Sequence, residues 1–507
     1  MLAFAACSSS PEGKDQPPKL GPLCATRDPG PSPLRRLTRI EYARTVRDLI
    51  GPGLLDSSGL PPDERALGFD NNADVLGTSD LLIEQYQDLA ERAASVVTAD
   101  ITRFVPCAAT TADATCARTF LDSFGRRAWR RPLDATETGA LMSVFTTGQS
   151  DGGFAEGITR TVAVLLQSPQ FLYRIETVVD SAGAPITVDT VPATDVPGAV
   201  RLSPHETAAR LSFLMWGSMP DAILDAAADA DKLSTPADLA QQARRMLADP
   251  RAHEVVSSFH ASWLGLDRLD DLDKDPVVYP TFGAALRDSF RAETTRFIDE
   301  VVWKREGTLA ALLNARYTFV DGPLRTFYGL SAAAAAGGAG AGADLQHTAL
   351  PVGRAGLLTQ PSFLAVHAKA NQTSPIHRGR FVREQLFCTT PPPPPNNIEI
   401  RPPSLDPRKT TRQRFSQHVA ESSCASCHTL MDPIGFGFEH YDGIGRWRDK
   451  ESGAPVDASG ALSGTDVDGP FNGAVELADR LAGSAAVARC YATQWFRFAY
   501  GRGENAA

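Results

Sequence analysis

Cys424 and Cys427 are separated by two residues, and His428 follows directly. On a helix the two thiols lie about one turn apart, close enough to add across two vinyl groups of one porphyrin, and the adjacent imidazole is then carried beneath the iron. The segment Cys424-Ala-Ser-Cys427-His428 therefore points to one covalently attached haem c, with both cysteines as thioether anchors and His428 as axial ligand. Three other chemistries use the same residue types. A redox-active dithiol sits after a strand in a βαβ setting, which the surrounding pattern lacks. A structural zinc ion needs two more ligands, for which His418 and His440 are the nearest candidates. A plain disulfide or an inert pair needs nothing further.

The second axial position is harder to assign. Met431, the one methionine after the motif, lies three residues past His428, too near to reach the opposite face of a ring, so histidine is expected there. His367 ranks first; His440, His418, His377 and an open position are the alternatives. From Met431 to Arg448 the chain is dense in glycine and aromatic residues. Glycine lets a backbone approach a flat macrocycle, and rings pack against it. Phe436, Phe438, Tyr441 and Trp447 are therefore candidate pocket walls, and Arg446 and Arg448 candidate partners for the propionates. The plainer alternative makes the rings a domain core and leaves the arginines solvated. A carbonyl near Pro433 is expected to accept the His428 ring N–H and fix its tautomer.

Other chemistries find little support. The chain has no Gly-x-Ser-x-Gly, no phosphate-cradling Gly-Lys-Ser/Thr and no His-Glu-x-x-His, so hydrolase and kinase readings gain nothing. Asp466-Val-Asp468-Gly is the most calcium-like fragment, but EF-hand spacing is absent and carboxylates in Gly-rich loops are usually turn formers. A formal charge of −10 argues against nucleic acid as a partner, leaving only a local basic cluster at Arg126, Arg127, Arg130 and Arg131.

The first residues, Met-Leu-Ala-Phe-Ala-Ala-Cys7, read as the tail of a bacterial lipoprotein signal, with Cys7 lipidated and tethered to a membrane face. An ordinary terminus is the alternative. No stretch approaches the ~20 apolar residues of a membrane-spanning helix. Eight cysteines suit the cell envelope better than a reducing cytosol. Cys107 with Cys116 is the expected local disulfide and Cys388 with Cys490 a looser pairing, which leaves Cys24 over.

The elements that must position the motif are helical. Thr38-Arg-Ile-Glu41 and Ser203-Pro-His-Glu206 are capping-box starts, and Thr235-Pro-Ala-Asp238 follows the same logic. Further helices are expected over 81–97, 116–129, 134–145, 154–167, 282–303, 375–387, 412–422 and 474–500, the last broken near Gly483. Strand signals are sparse, with a small β-hairpin over 446–462. The expected fold is mainly α: several helical subdomains with a C-terminal cytochrome c-like haem-binding unit. The divisions are a signal remnant and flexible tether (1–33), helical domains over 34–100, 101–197 and 198–330, an Ala/Gly-rich linker (331–344), a helical segment ending in polyproline (345–395), and the haem-binding domain (396–507).

Leu34 to Leu49, Phe124-Gly-Arg-Arg-Ala-Trp-Arg-Arg-Pro-Leu133, Gln167-Ser-Pro-Gln-Phe-Leu-Tyr-Arg174, Ser374-Pro-Ile-His-Arg-Gly379 and Cys424 to Arg448 occur in that order. Together they resemble a multi-domain family of exported bacterial proteins of unknown function with a planctomycete-type cytochrome c region. The resemblance implies a mainly α protein with a haem-binding C-terminal part, and no particular reaction. The resulting expectation is a lipid-anchored monohaem protein of the cell envelope that exchanges electrons with a partner oxidoreductase. A haem-dependent oxidoreductase or peroxidase-like enzyme with an open distal site is the alternative. A non-catalytic envelope binding protein with a structural Cys pair is a third reading.

Overall fold

The computed structural model describes residues 32–57, 59–176, 202–305, 307–330, 344–391, 406–420 and 422–504, apart from the side chains of 417–420, 422–424 and 426. Cys7, Cys24, the tether up to residue 31, the Ala/Gly-rich run 331–343, the polyproline run after residue 391, the His418 ring and the Cys424 thiol lie outside them. The fold is mainly α, 59% helical, and its only sheets among the described residues are four two-stranded antiparallel pairs. Two compact units divide it.

The first unit comprises the described residues of Cys7–Val256 and Phe496–Ala507. Helix α1 (Arg39–Ile50) begins with the expected capping box: Thr38 accepts from the Glu41 amide and Glu41 accepts from that of Thr38, satisfying two donors that the helix leaves unpaired. Just before it, β1 (Arg35–Arg36) pairs with β2 (Tyr173–Arg174). α2 (Asp80–Ala99) packs on α3 (Ala135–Gln167) around Tyr42, Tyr86, Phe120, Phe145 and Phe171. The two helices expected over 134–145 and 154–167 are joined in α3, with non-helical backbone at Gly152 and Gly153 between them. α4 (Pro204–Trp216) and α5 (Pro236–Leu247) start at the caps expected for them.

The second unit is built within Ser257–Trp495. It contains α6 (Ala284–Asp299), β3 (Tyr317–Val320) paired with β4 (Gln346–Ala349), and the short helices α7 (Pro361–Val366) and α8 (Pro375–Phe381). These are followed by α9 (Thr411–Ala420) and α10 (Ser422–Phe436), which carries the Cys-x-x-Cys-His motif. The single hairpin expected over 446–462 is two: β5 (Lys450–Glu451) pairs with β6 (Ala454–Pro455), and β7 (Ser459–Leu462) with β8 (Gly469–Asn472). Gly473 at φ 83° turns the chain into α11 (Gly473–Ala482), and Gly483 separates this from α12 (Ala485–Tyr500) as expected.

α8 and α10 meet backbone to backbone. A Cβ on Gly379 would lie 2.0 Å from the Met431 carbonyl oxygen, and one on Gly435 would lie 1.9 Å from that of Pro375. Only glycine permits such an approach. Through α8, residues 375–381 are thus packed directly against the motif helix. Arg378, fully buried one residue before Gly379, completes the joint. Its guanidinium donates to the carbonyls of Leu364, Phe438, Tyr441 and Asp442 at 3.0–3.2 Å. Burial holds its pKa down at about 10, which still leaves it charged at neutral pH.

Both expected disulfides are formed, Cys107–Cys116 in the first unit and Cys388–Cys490 in the second. The second spans 102 residues, so by loop-closure entropy it stabilises more than the first, by up to about 4–5 kcal/mol. Replacing both its cysteines by serine is expected to lower unfolding free energy by that order in denaturant titration, with a smaller loss for the Cys107–Cys116 pair. Arg378→Lys cannot reach four carbonyls with one ammonium. It should cost about 2–3 kcal/mol in the same measurement, because the Leu364 and Tyr441 carbonyls, which accept no backbone N–H among the described residues, lose donors.

Candidate functional site

On α10 the backbone places Cys424 and Cys427 one helical turn apart and His428 four residues after Cys424. Cys427 is buried, while the His428 side chain keeps 18% of its surface exposed. The ring is held by a residue that the sequence points to only for calcium or acid/base chemistry and not as a partner of His428. Asp432, wholly buried and one turn further along, has both carboxylate oxygens 3.0 Å from His428 Nδ1. A carboxylate only accepts, so Nδ1 carries the hydrogen and the ring lone pair lies on Nε2. The carbonyl expected near Pro433 does not fill this role. The helix runs on through Pro433 to Phe436, and in a helix the neighbours of residue 428 on the same face are 431 and 432. The signal was readable in the sequence as a carboxylate four residues after a histidine.

This donor set suits a covalently held haem. Two cysteines are spaced for two vinyl groups, and the imidazole has its tautomer fixed with the ligating nitrogen opposite the buried carboxylate. Cys424 and Cys427 would hold the porphyrin and His428 the iron, the group supplying one-electron chemistry when bound.

The other sequence candidates are not gathered around His428 in this way. His367 is enclosed between Phe363 and Phe381, its ring 4.6 and 4.9 Å from theirs, and its Nε2 lies 3.1 Å from the Leu264 carbonyl oxygen, to which it donates. Burial, aided by Arg268, lowers its pKa to about 3, so it is neutral. Acting as an iron ligand through Nε2 would break that bond. His377 is also held neutral, pushed down to about 4 by burial and by Lys369. His440 stacks flat on Trp447 at 4.4 Å and places Nδ1 3.0 Å from the Arg448 carbonyl.

Of the proposed walls, Phe438 and Tyr441 are core residues packed around Arg378, and Phe436 lies under the Arg412 guanidinium. Arg448 is bound to Glu439 at 2.7 Å and to Glu451 at 3.2 Å, so its charge is already met inside the protein. Burial raises the pKa of Glu439 against the pull of Arg448 and Arg378. Arg446 and Trp447 line a cleft to which neither Cys427 nor His428 contributes.

Two weaker motifs resolve into local structure. Asp466 accepts from the Ser484 hydroxyl and the Ala486 amide at the start of α12, and Asp468 accepts from the Gly464 and Thr465 amides. These are cap and turn contacts, and among the described residues no group of three or more metal-ligating side chains is present. In the basic cluster, Arg126 pairs with Asp225 and Asp229, and Arg131 with Glu137. Arg127 caps the carbonyls of Asp48 and Leu49, while Arg130 caps those of Gln170, Phe171 and Tyr173.

Five family models match the chain in order, each described as a protein of unknown function: DUF1587 over 35–99, DUF1595 over 116–176, DUF1592 over 202–330, DUF1588 over 354–451 and DUF1585 over 468–507. The chain belongs to the planctomycete cytochrome c-type multi-domain family that these modules make up, whose function is unknown. The DUF1588 module runs from before α7 to β5 and so contains α8, α10 and the Arg378 joint as one piece. No curated protein and no solved structure matches the chain.

Asp432→Asn should disturb the ring without removing it. An amide can donate to Nδ1, which moves the hydrogen to Nε2. Nitrogen-15 spectra of the haem-free full chain are expected to show His428 protonated at Nδ1 in the parent and shifted toward the Nε2–H tautomer in the variant. An unchanged tautomer would remove Asp432 from this role.

Proposed function

We propose that this chain is a c-type haem protein, with one haem attached through Cys424 and Cys427 and His428 as axial ligand, and that it exchanges electrons with a partner oxidoreductase in the bacterial cell envelope. The observation that supports this most is the His428–Asp432 pair. A buried carboxylate on Nδ1 presents Nε2 in ligating form and makes the imidazole a stronger donor, as outer partners of metal-binding histidines do. Such a donor favours ferric over ferrous iron and so lowers the reduction potential. The glycine-mediated contact packs α8 directly on the motif helix α10. The expected lipid on Cys7 would keep the protein at a membrane face, where a redox partner is met in two dimensions. Nucleic acid has no part in this reading.

The axial role is proposed for His428 alone, because His367 Nε2 is engaged by Leu264. That engagement favours, as a second reading, a haem-dependent oxidoreductase whose iron keeps a position open to a small molecule. Full-length protein matured with haem-attachment machinery should give a c-type band in the reduced alkaline pyridine spectrum. Cys427→Ala should shift that band toward the position of singly attached haem. A missing band would sink both haem readings. If the band is present, a low-spin ferric spectrum supports the electron carrier, and a high-spin species that binds cyanide rapidly supports the enzyme.

A further inference from the structure

A second site stands apart from the haem motif in its lining. Within the second unit, a cleft of about 780 Å³ is walled by Leu286, Phe327, Tyr328 and Trp447, with Val352 almost fully exposed at its rim. The volume falls within the ~300–1,000 Å³ typical of small-molecule sites. Phe327, Tyr328 and Trp447 give it an aromatic lining, which suits a flat ligand body.

Among the described residues, Arg354 and Arg446 are the only ionisable side chains in the lining besides Tyr328. Asp449 accepts from the Trp447 indole N–H and Asp442 from the Arg446 amide, and neither carboxylate is part of the lining. Arg354 is buried, its guanidinium 4.7 Å from the Tyr328 ring centre and 5.0 Å from that of Tyr441, with donors committed to the Thr359 and Gly445 carbonyls. It contributes field and no contact. Arg446 is exposed. It donates to the Thr281 hydroxyl at 2.8 Å, lies over Phe327, and among the described residues pairs with no carboxylate. A planar guanidinium with donors left to share is the group that binds carboxylates in bidentate fashion.

Behind this wall lies a buried acid, Glu293, with an unmet oxygen. Tyr328 Oη donates to Glu293 Oε1 at 2.7 Å and Thr318 Oγ1 to the same atom at 2.6 Å, while Oε2 has no partner among the described residues. Burial pushes the Glu293 pKa up to about 7 despite these hydrogen bonds and Arg354, with Asp321 adding to the rise. Below that pH the carboxyl is largely neutral and leaves the positive potential of the cleft intact.

We propose that this cleft binds a small organic acid with a flat aromatic body, its carboxylate on Arg446 and its ring between Phe327 and Trp447. The site draws on 281–286, 323–329, 351–354 and 446–447, so it exists only where the DUF1592 and DUF1588 modules are folded together. It does not depend on the haem reading.

Calorimetric titration of the haem-free full chain with 2-naphthoate at pH 6 tests it. Naphthoate is expected to bind at least about tenfold more tightly than naphthalene-2-methanol or 2-naphthylmethylamine, the factor one charge-assisted contact supplies. Arg446→Gln should lose that advantage, and so should Val352→Glu, a like charge placed at the exposed rim where folding is not at risk. No binding of naphthoate, equal binding of the alcohol or amine, or unchanged affinity in both variants would overturn the proposal.

Discussion

Four backbone carbonyls, those of Leu364, Phe438, Tyr441 and Asp442, converge on the Arg378 guanidinium in the interior of the second unit. The Phe438 and Asp442 carbonyls also accept the amides of Tyr441 and Gly445, while among the described residues those of Leu364 and Tyr441 accept no backbone N–H. Burying these two without a partner would cost about 1–3 kcal/mol apiece. A single planar cation with five donors resolves all four at once, and in doing so ties α7, α8 and the loop after α10 into one body. The Cys-x-x-Cys-His motif is carried on the helix that this joint fixes, and the aromatic cleft is bounded by residues of the same loop.

Glycine makes the joint possible. Gly379 and Gly435 let α8 and α10 touch through their backbones, so Arg378 reaches the turn beyond α10 from the neighbouring helix. The Ser374-to-Gly379 motif thereby acquires a physical meaning. Ser374 caps the helix, Pro375 begins it, Arg378 binds the carbonyls and Gly379 admits the partner helix. In this chain the motif thus packs against the helix that carries Cys-x-x-Cys-His.

A similar logic governs the His428 ring. A histidine on a helix surface samples several rotamers and both neutral tautomers, and metal ligation needs one of each. Asp432, buried one turn away, selects both. Its burial also removes it from competition with water, so the hydrogen bond is stronger than it would be on an exposed helix face. The orientation of the ring is thus set by a carboxylate outside the Cys-x-x-Cys-His segment.

Much of this could be read from the chain alone, because it depends on neighbours in sequence. Caps at Thr38 and Ser203, the helix break at Gly483, the mainly helical class and the spacing of Cys424, Cys427 and His428 are local features, fixed by propensity and by one or two turns of hydrogen bonding. Even the disulfide pairing was partly legible, since Cys107 and Cys116 close a short loop. What tertiary structure alone decided is which polar groups find each other across long separations. Arg378 meets the Phe438 and Tyr441 carbonyls, His367 meets Leu264, and Arg446 and Trp447 face residues 281–286, more than a hundred earlier in the chain. The residue types were visible, but a buried arginine and a solvated one have the same letter, and only packing determines which carbonyl, carboxylate or ring stands within reach.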